Sequence, residues 1–151
     1  MENQLVVFEL ANERYGVNIT AVESIIKLQT ITAVPQAPQF VKGVTNLRGV
    51  VLPVINLRQR FDLPQVETTK DTRIVVVEMD GGTVGMIVDA VAEVLRVPDE
   101  AIEPPSPLVV TVDSTFIAGI AKLDEQLVII LDLDKVLTAQ EQVDLQAVPV
   151  T

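Results

Sequence analysis

The chain contains no histidine, no cysteine and no tryptophan, and only one tyrosine. Without histidine it lacks the commonest general base and metal ligand at neutral pH. Without cysteine there are no disulfides, thiol nucleophiles or thiolate metal sites, a composition compatible with the cytosol. Serine occurs only as Ser24, Ser106 and Ser114, none in a G-x-S-x-G setting. Neither a G-x-G-x-x-G nor a G-x-x-x-x-G-K-[ST] phosphate loop is present. Positive charge is also short: 11 Lys and Arg face 21 Asp and Glu, a net charge of −10. A nucleic-acid interface needs a basic face to neutralise phosphates, and an anionic membrane surface would repel this chain. No apolar run approaches the roughly 20 residues of a membrane helix, so no direct membrane insertion is expected. The N-terminal MENQLVVFEL lacks the basic region of a secretion signal. Aromatics make up 3% of a 151-residue, 48% hydrophobic chain, so aliphatic side chains must build most of the core. A chain of this length can bury roughly 70% of its unfolded surface.

What is present is organised around residues 40–61, FVKGVTNLRGVVLPVINLRQRF. Two β-rich runs, Phe40–Asn46 and Val50–Ile55, flank Leu47-Arg48-Gly49, which predicts a hairpin with Arg48 at its tip. Asn56 is placed to cap a short helical turn over Leu57–Phe61. The pattern recurs 76 positions later as FIAGIAKLDEQLVIILDLDKVL, from Phe116 to Leu137. Gly43 then falls on Gly119, Leu47 on Leu123, Asn56 on Asp132 and Leu57 on Leu133, whereas Arg48 falls on Asp124. Upstream, Leu5–Ile25 matches Ile74–Val94 at an offset of 69, with Val6/Val75, Val7/Val76, Glu9/Glu78, Gly16/Gly85, Ala21/Ala90 and Val22/Val91 identical. Pro35 and Pro38 fall on Pro104 and Pro107 at that same offset. The chain is therefore a tandem duplication of one small β unit. Each unit alone would be about 70 residues and marginal, so two small barrels sharing an interface are a natural solution.

In order, Leu5–Leu10 predicts a strand, Ala11–Arg14 a turn and Tyr15–Val17 the start of a return strand. Asn18 predicts a helix cap, with a helix to about Leu28 carrying Ile19, Val22, Ile25 and Ile26 on one face. Ala33–Pro38 is an extended link, and polar Asp62–Asp71 is the connector between repeats. Arg73–Met79 opens the second unit, and Asp80-Gly81-Gly82 is a hairpin signal. Asp89–Arg96 admits helix or strand, and its β-branched density favours strand. Pro98–Pro107 predicts an irregular loop, Leu108–Val112 an extended segment, Asp132–Glu141 a short helix and Val143–Thr151 a frayed tail.

Few residues offer chemistry. Asp132 and Asp134 could bind a cation or act as an acid/base pair. The first unit has Asn56 and Arg58 at those places, so helix capping and helix-dipole compensation explain them better. Asp71, Glu78, Asp80 and Asp89 read as solvated faces and turns. Arg48 has two readings: its fork tethers groups within the fold, or it contacts a partner. The helix expected at Asn18–Leu28 either buries its apolar stripe or holds a partner helix in a groove. A small barrel could also bind oligonucleotides on aromatic platforms, which charge and aromatic poverty disfavour.

Phe40–Gly49 together with Leu52-Pro53-Val54-Ile55-Asn56-Leu57-Arg58 resembles the CheW family of bacterial chemotaxis coupling proteins. Tyr15–Ile19, Val84–Asp89 and Phe116–Ile120 support the resemblance, which covers nearly the whole chain. It implies an all-β fold with short helices: two tandem five-stranded β barrels (OB/SH3-like) sandwiching a hydrophobic core. The expectation is one CheW-like domain over 1–151. Its two subdomains would intertwine, roughly 15–70 and 84–140, with the N-terminal strand crossing between them. The resemblance also implies a non-enzymatic adaptor with no cofactor and no metal. It would be cytoplasmic, recruited to membrane-bound receptor arrays, and would bind no nucleic acid. Its implied partners are the regulatory domain of a CheA-type histidine kinase and the cytoplasmic helical hairpin tip of chemoreceptors. By position, Val22 and Gly43 match kinase-binding sites, and Arg48, Gly85, Val91 and Val94 match receptor-coupling sites. The glycines could also act structurally, by letting backbones approach closely. Where the family often has a glutamate, this chain has Ser24, with Glu23 adjacent. An adaptor of the same family serving a pilus-motility or developmental kinase is the alternative.

Overall fold

The computed structural model describes residues 2–35, 41–79, 82–104, 116–123 and 126–136. Eleven strands and two one-turn helices appear among them. The first hairpin pairs β1 (Glu2–Leu10) with β2 (Glu13–Asn18). Its two-residue turn places Ala11 at φ 53° and Asn12 at φ 67°. A turn with both central residues at positive φ follows the natural strand twist, although alanine adopts it only under constraint. A 3-10 turn over Ile19–Ala21 leads to β3 (Val22–Lys27). The Arg48 hairpin is β4 (Val41–Leu47) and β5 (Val50–Asn56), followed by α1 (Leu57–Arg60). The second unit repeats the series: β6 (Arg73–Met79), β7 (Gly82–Val88) and β8 (Ala90–Pro98), then the two-residue β9 (Ile102–Glu103). The hairpin of β10 (Ile117–Leu123) and β11 (Gln126–Leu131) and then α2 (Leu133–Val136) complete it.

The repeat is exact enough that equivalent strands take equivalent places. One sheet runs β8-β1-β2-β11-β10-β9 and the other β3-β6-β7-β5-β4. Each sheet joins a hairpin from one half of the chain to strands from the other. In the first, β2 meets β11 in parallel, and in the second, β7 meets β5 in parallel. Both sheets are thus built by strand exchange, and the chain crosses from one to the other at residues 19–21 and again at Asp89. Among the described residues neither ladder closes on itself, and one sheet has six strands. The all-β fold with short helices is as expected, with the two five-stranded barrels taking the form of two open sheets of six and five strands. In the second, residues 28–40 intervene between edge strands β3 and β4. There Thr32 and Val44 exchange backbone hydrogen bonds of 2.8 and 2.9 Å, drawing the post-β3 segment over the sheet.

Alternation divides the core in three. Leu5, Val7, Val97, Ala121 and Val128 fill the inside of the first sheet. Leu52, Val54, Ile74 and Val76 fill the inside of the second. The opposite faces of β1 and β6, bearing Val6 and Phe8 and Val75 and Val77, meet in a shared central cluster with Tyr15, Ile55, Met86, Ile129 and others. Strands buried on both faces explain why these runs are continuous valine, isoleucine and leucine. The few aromatics concentrate there: Phe8, Tyr15, Phe61 and Phe116 form a chain with centroid spacings of 6.0, 6.1 and 5.1 Å. Arg60 stacks over Phe116 and donates from Nε to the carbonyl of Val136 at 2.6 Å, tying α1 to the last turn of α2.

The helix expected over Asn18–Leu28 is a correction. Asn18 does cap, with Oδ1 accepting from the Thr20 amide at 3.0 Å, but the capped element is a single 3-10 turn. Val22 to Lys27 then alternate as a strand, because β6 offers a complete ladder to its backbone. The strand preference at Asp89–Arg96 is met by β8. The expected irregular loop at Pro98–Pro107 contains a 3-10 turn (Asp99–Ala101) and β9. The turn residues Asp80 and Gly81, the segment Leu108–Val112, the end of the last helix and the tail Val143–Thr151 lie outside the described residues.

Candidate functional site

The Arg48 hairpin forms as expected. Leu47 pairs with Val50, leaving Arg48 and Gly49 as a two-residue turn with φ of 55° and 84°. The Gly49 amide donates to Asn46 Oδ1 at 2.8 Å, which fixes the turn from within. Arg48 is exposed, and its guanidinium has no hydrogen-bond or ion-pair partner among the described residues. The neighbouring Val50 is 65% exposed.

Gly43 sits at a bulge, where the β4–β5 register shifts between Val41 and Gly43. Its φ is +150°, and a Cβ there would lie 2.1 Å from the carbonyl oxygen of Thr32. Val22 starts β3 and packs against the shared core. The two proposed kinase residues thus lie on the opposite edge strands of one sheet. Glu23 is the extra residue of a second bulge, between Val22 and Ser24, and is exposed.

Gly85 is buried inside the second sheet, where a Cβ would meet Ile74 Cγ2 at 2.7 Å and Leu52 Cδ2 at 3.3 Å. Any effect of this glycine on a partner therefore runs through packing. Val91 and Val94 lie on β8, an edge strand of the first sheet. Val91 pairs with Phe8 and packs on the shared core, and Val94 pairs with Val6 yet is 51% exposed. Paired residues share a face, so both valines point toward the seam between the sheets, Val94 at its open rim. The receptor set is thus divided: Arg48 and Gly85 belong to one sheet, Val91 and Val94 to the other.

The repeat gives Ile25, expected on the apolar face of a helix, a different setting. Ile25 is the equivalent of Val94, pairs with core residue Val75 and is 41% exposed. The pairs Val22/Ile25 and Val91/Val94 form two equivalent apolar rims, one on an edge strand of each sheet. The 69-residue offset held that signal, but assigning a helix to residues 18–28 obscured it.

Two further polar arrangements emerge. Asp132 Oδ1 accepts from the Asp134 amide at 3.1 Å, as capping predicts. These residues line a cavity of about 450 Å³ with Asn3, Asn18 and Glu78. No group of three or more potential metal ligands occurs among the described residues. Asp89, expected to be a solvated turn residue, is instead a junction. Arg58 donates to it through Nε at 3.0 Å and Nη2 at 2.6 Å, and the Ala11 amide donates to it at 3.0 Å. Burial raises the Asp89 pKa, but the Arg58 hydrogen bonds, the Ala11 amide and the Arg58 charge together outweigh that and hold it below its ordinary value. The same hydrogen bonding raises that of Arg58. Elsewhere, the buried Tyr15 hydroxyl donates to Glu13 Oε2 at 3.0 Å, and burial followed by the Glu13 charge pushes the phenol well above its ordinary value.

Comparison with known proteins agrees with this geometry. The model of the CheW-like domain matches residues 4–141. The chemotaxis protein CheW of Bacillus subtilis is 38% identical over 134 residues, covering 89% of this chain and 86% of the relative. That of Klebsiella aerogenes is 36% identical over 138 residues, covering 91% and 83%. Among solved structures, the scaffolding protein TtCheW from Thermoanaerobacter tengcongensis superposes with a TM-score of 0.84 at 42% identity, covering 93% of this chain and 91% of that one. The chain belongs to the family of CheW-like domains.

Proposed function

We propose that the protein is a non-enzymatic chemotaxis adaptor that couples chemoreceptors to a CheA-type histidine kinase. The similarity to chemotaxis relatives over most of the chain favours chemotaxis over another kinase pathway. The observation that carries the two-partner reading is the pair of repeat-equivalent apolar rims. A duplicated fold offers two related docking edges, and each can diverge toward its own partner. In this reading the rim begun by Val22, with the bulge at Gly43 shaping the far edge of the same sheet, serves the regulatory domain of the kinase. The rim of Val91 and Val94 receives the cytoplasmic helical hairpin tip of a receptor along the seam, and Arg48 contributes from its hairpin tip. Gly85 keeps the second sheet closely packed behind it.

The protein acts as one CheW-like domain with two intertwined subdomains, roughly 15–70 and 84–140. It resides in the cytoplasm and joins membrane-bound receptor arrays through these contacts. Each contact can be weak alone, because many copies in an array multiply their effect. The absent partner of Arg48 among the described residues favours the contact reading over the internal tether. The test is titration of wild type, Val22→Asp and Val94→Asp against the kinase regulatory domain and a soluble receptor-tip hairpin. Val22→Asp should weaken only the kinase arm and Val94→Asp only the receptor arm. Equal effects of both variants on both partners would sink the division of labour.

A further inference from the structure

The chain crosses from the second sheet to the first through one residue, Asp89, between the last residue of β7 and the first of β8. Everything around that residue is anchored. Its amide donates to the Glu9 carbonyl on β1 at 3.0 Å. Its carboxylate accepts the Ala11 amide in the β1–β2 turn and both arms of the Arg58 fork. Arg58 stands on α1, at the end of the second sheet, and its remaining Nη1 donates to the Pro64 carbonyl at 2.6 Å. The Arg58 side chain is 13% exposed and that of Asp89 32%. Four segments therefore converge on one ion pair: α1, the residues following it, the β1–β2 turn and the start of β8.

The other crossing lacks this device. At the position equivalent to Arg58 the second copy has Asp134, and at the position equivalent to Asp89 the first copy has Thr20. That crossing uses three residues in a 3-10 turn, capped by Asn18 alone. The asymmetry singles out β8 as the edge strand whose approach is set by a two-armed salt bridge. Val91 and Val94 follow the anchor by two and five residues. The clamp also explains how Ala11 holds φ 53° without glycine, since the carboxylate captures the amide in that conformation.

We propose that Arg58 and Asp89 are positioning residues for the receptor rim: their ion pair fixes β8 relative to the second sheet and so sets the seam between Val94 and the sheet opposite. This rests on the reading of Val91 and Val94 as the receptor-coupling rim. Neither charged residue need touch the partner.

The experiment uses the full chain with Arg58→Gln, Arg58→Lys and Val94→Ser. Affinity is measured for a receptor-tip hairpin and for the kinase regulatory domain, with amide hydrogen exchange on the free protein. Arg58→Gln should weaken receptor binding by about tenfold while kinase binding stays within about twofold. Exchange should accelerate at Ala11 and across 90–94 but not at the β4–β5 hairpin. Arg58→Lys, which keeps the charge but not the fork, should fall between wild type and Arg58→Gln. If Val94→Ser weakens receptor binding and Arg58→Gln does not, the rim stands and the positioning role is overturned. If Arg58→Gln weakens both partners equally, in step with melting temperature, the pair is merely structural. If Val94→Ser leaves receptor binding intact, the rim itself is misassigned and the positioning role falls with it.

Discussion

Replacing Gly43 by alanine should be among the most damaging single-methyl additions in this fold. The added Cβ would lie 2.1 Å from the Thr32 carbonyl oxygen and 2.7 Å from its carbon, both backbone atoms. No rotamer change relieves such a contact, so the segment around Thr32, between β3 and β4, must move away. That movement breaks the two hydrogen bonds between Thr32 and Val44, worth about 1 kcal/mol each. The residue is also held at φ +150°, where a side chain adds a further strain of about 1–3 kcal/mol. The sum, about 3–5 kcal/mol, is a large part of the 5–15 kcal/mol that stabilises an ordinary domain. At 2–4 °C per kcal/mol for a chain of this size, melting should fall by roughly 10 °C. The repeat supplies an internal control. At the equivalent Gly119 the Cβ would meet a side-chain methyl, Ile102 Cγ2, at 2.9 Å and the Glu103 carbonyl oxygen at 3.1 Å, contacts that small shifts relieve more readily than the 2.1 Å backbone clash at Gly43. Gly119→Ala should therefore lose only about 1–2 kcal/mol, or roughly 4 °C. Calorimetry or thermal circular dichroism on both variants decides the matter. A fall below about 3 °C for Gly43→Ala, or a larger fall for Gly119→Ala, would show that the Thr32 carbonyl does not confine Gly43. The variant also matters for function: if Gly43 affects kinase binding, part of that effect is loss of the edge strand rather than of a contact.

Three further outcomes are expected. Arg48→Ala should leave melting within about 2 °C of wild type, as for an exposed turn residue without internal partners, while weakening receptor-tip binding; a large loss of stability would restore the tether reading. Asp89→Asn should destabilise by about 2 kcal/mol at neutral pH, the scale of hydrogen bonds to a charged group, seen in urea unfolding as a shifted midpoint with unchanged slope. Because the folded-state pKa of Asp89 lies below its unfolded value, its contribution is present above the unfolded pKa and is lost as pH falls through the folded one. The stability gap between wild type and Asp89→Asn should therefore hold above about pH 4 and narrow as pH falls below it, and a gap that is unchanged or widens on acidification would contradict this.

Local features were legible because their physics is local. The Arg48 turn, the caps at Asn56 and Asp132 and the 76-residue repeat all depend on neighbours in sequence. β3 was misjudged because Val22, Ile25 and Ile26 satisfy helical spacing while Val22 and Ile26 also satisfy alternation. A true cap at Asn18 tipped the choice, and only pairing with β6, some 50 residues away, resolves it. Intertwining is an expectation of the family resemblance alone, since the parallel pairs β2–β11 and β5–β7 join distant segments that no local pattern specifies. Asp89 looked like a turn residue because its partner lies 31 positions away on another element. The concentration of aromatics follows the fold as well: Phe8, Tyr15, Phe61 and Phe116 are scattered in sequence and meet only where the sheets press together.

The most direct test of the account is isothermal titration of the wild-type protein with the regulatory domain of a CheA-type kinase, followed by titration of that complex with a receptor-tip hairpin. Saturable binding of the kinase domain and then of the receptor tip is expected, both partners held at once on separate rims. Competition between the two partners, or no heat with either at tens of micromolar, would contradict a coupling role.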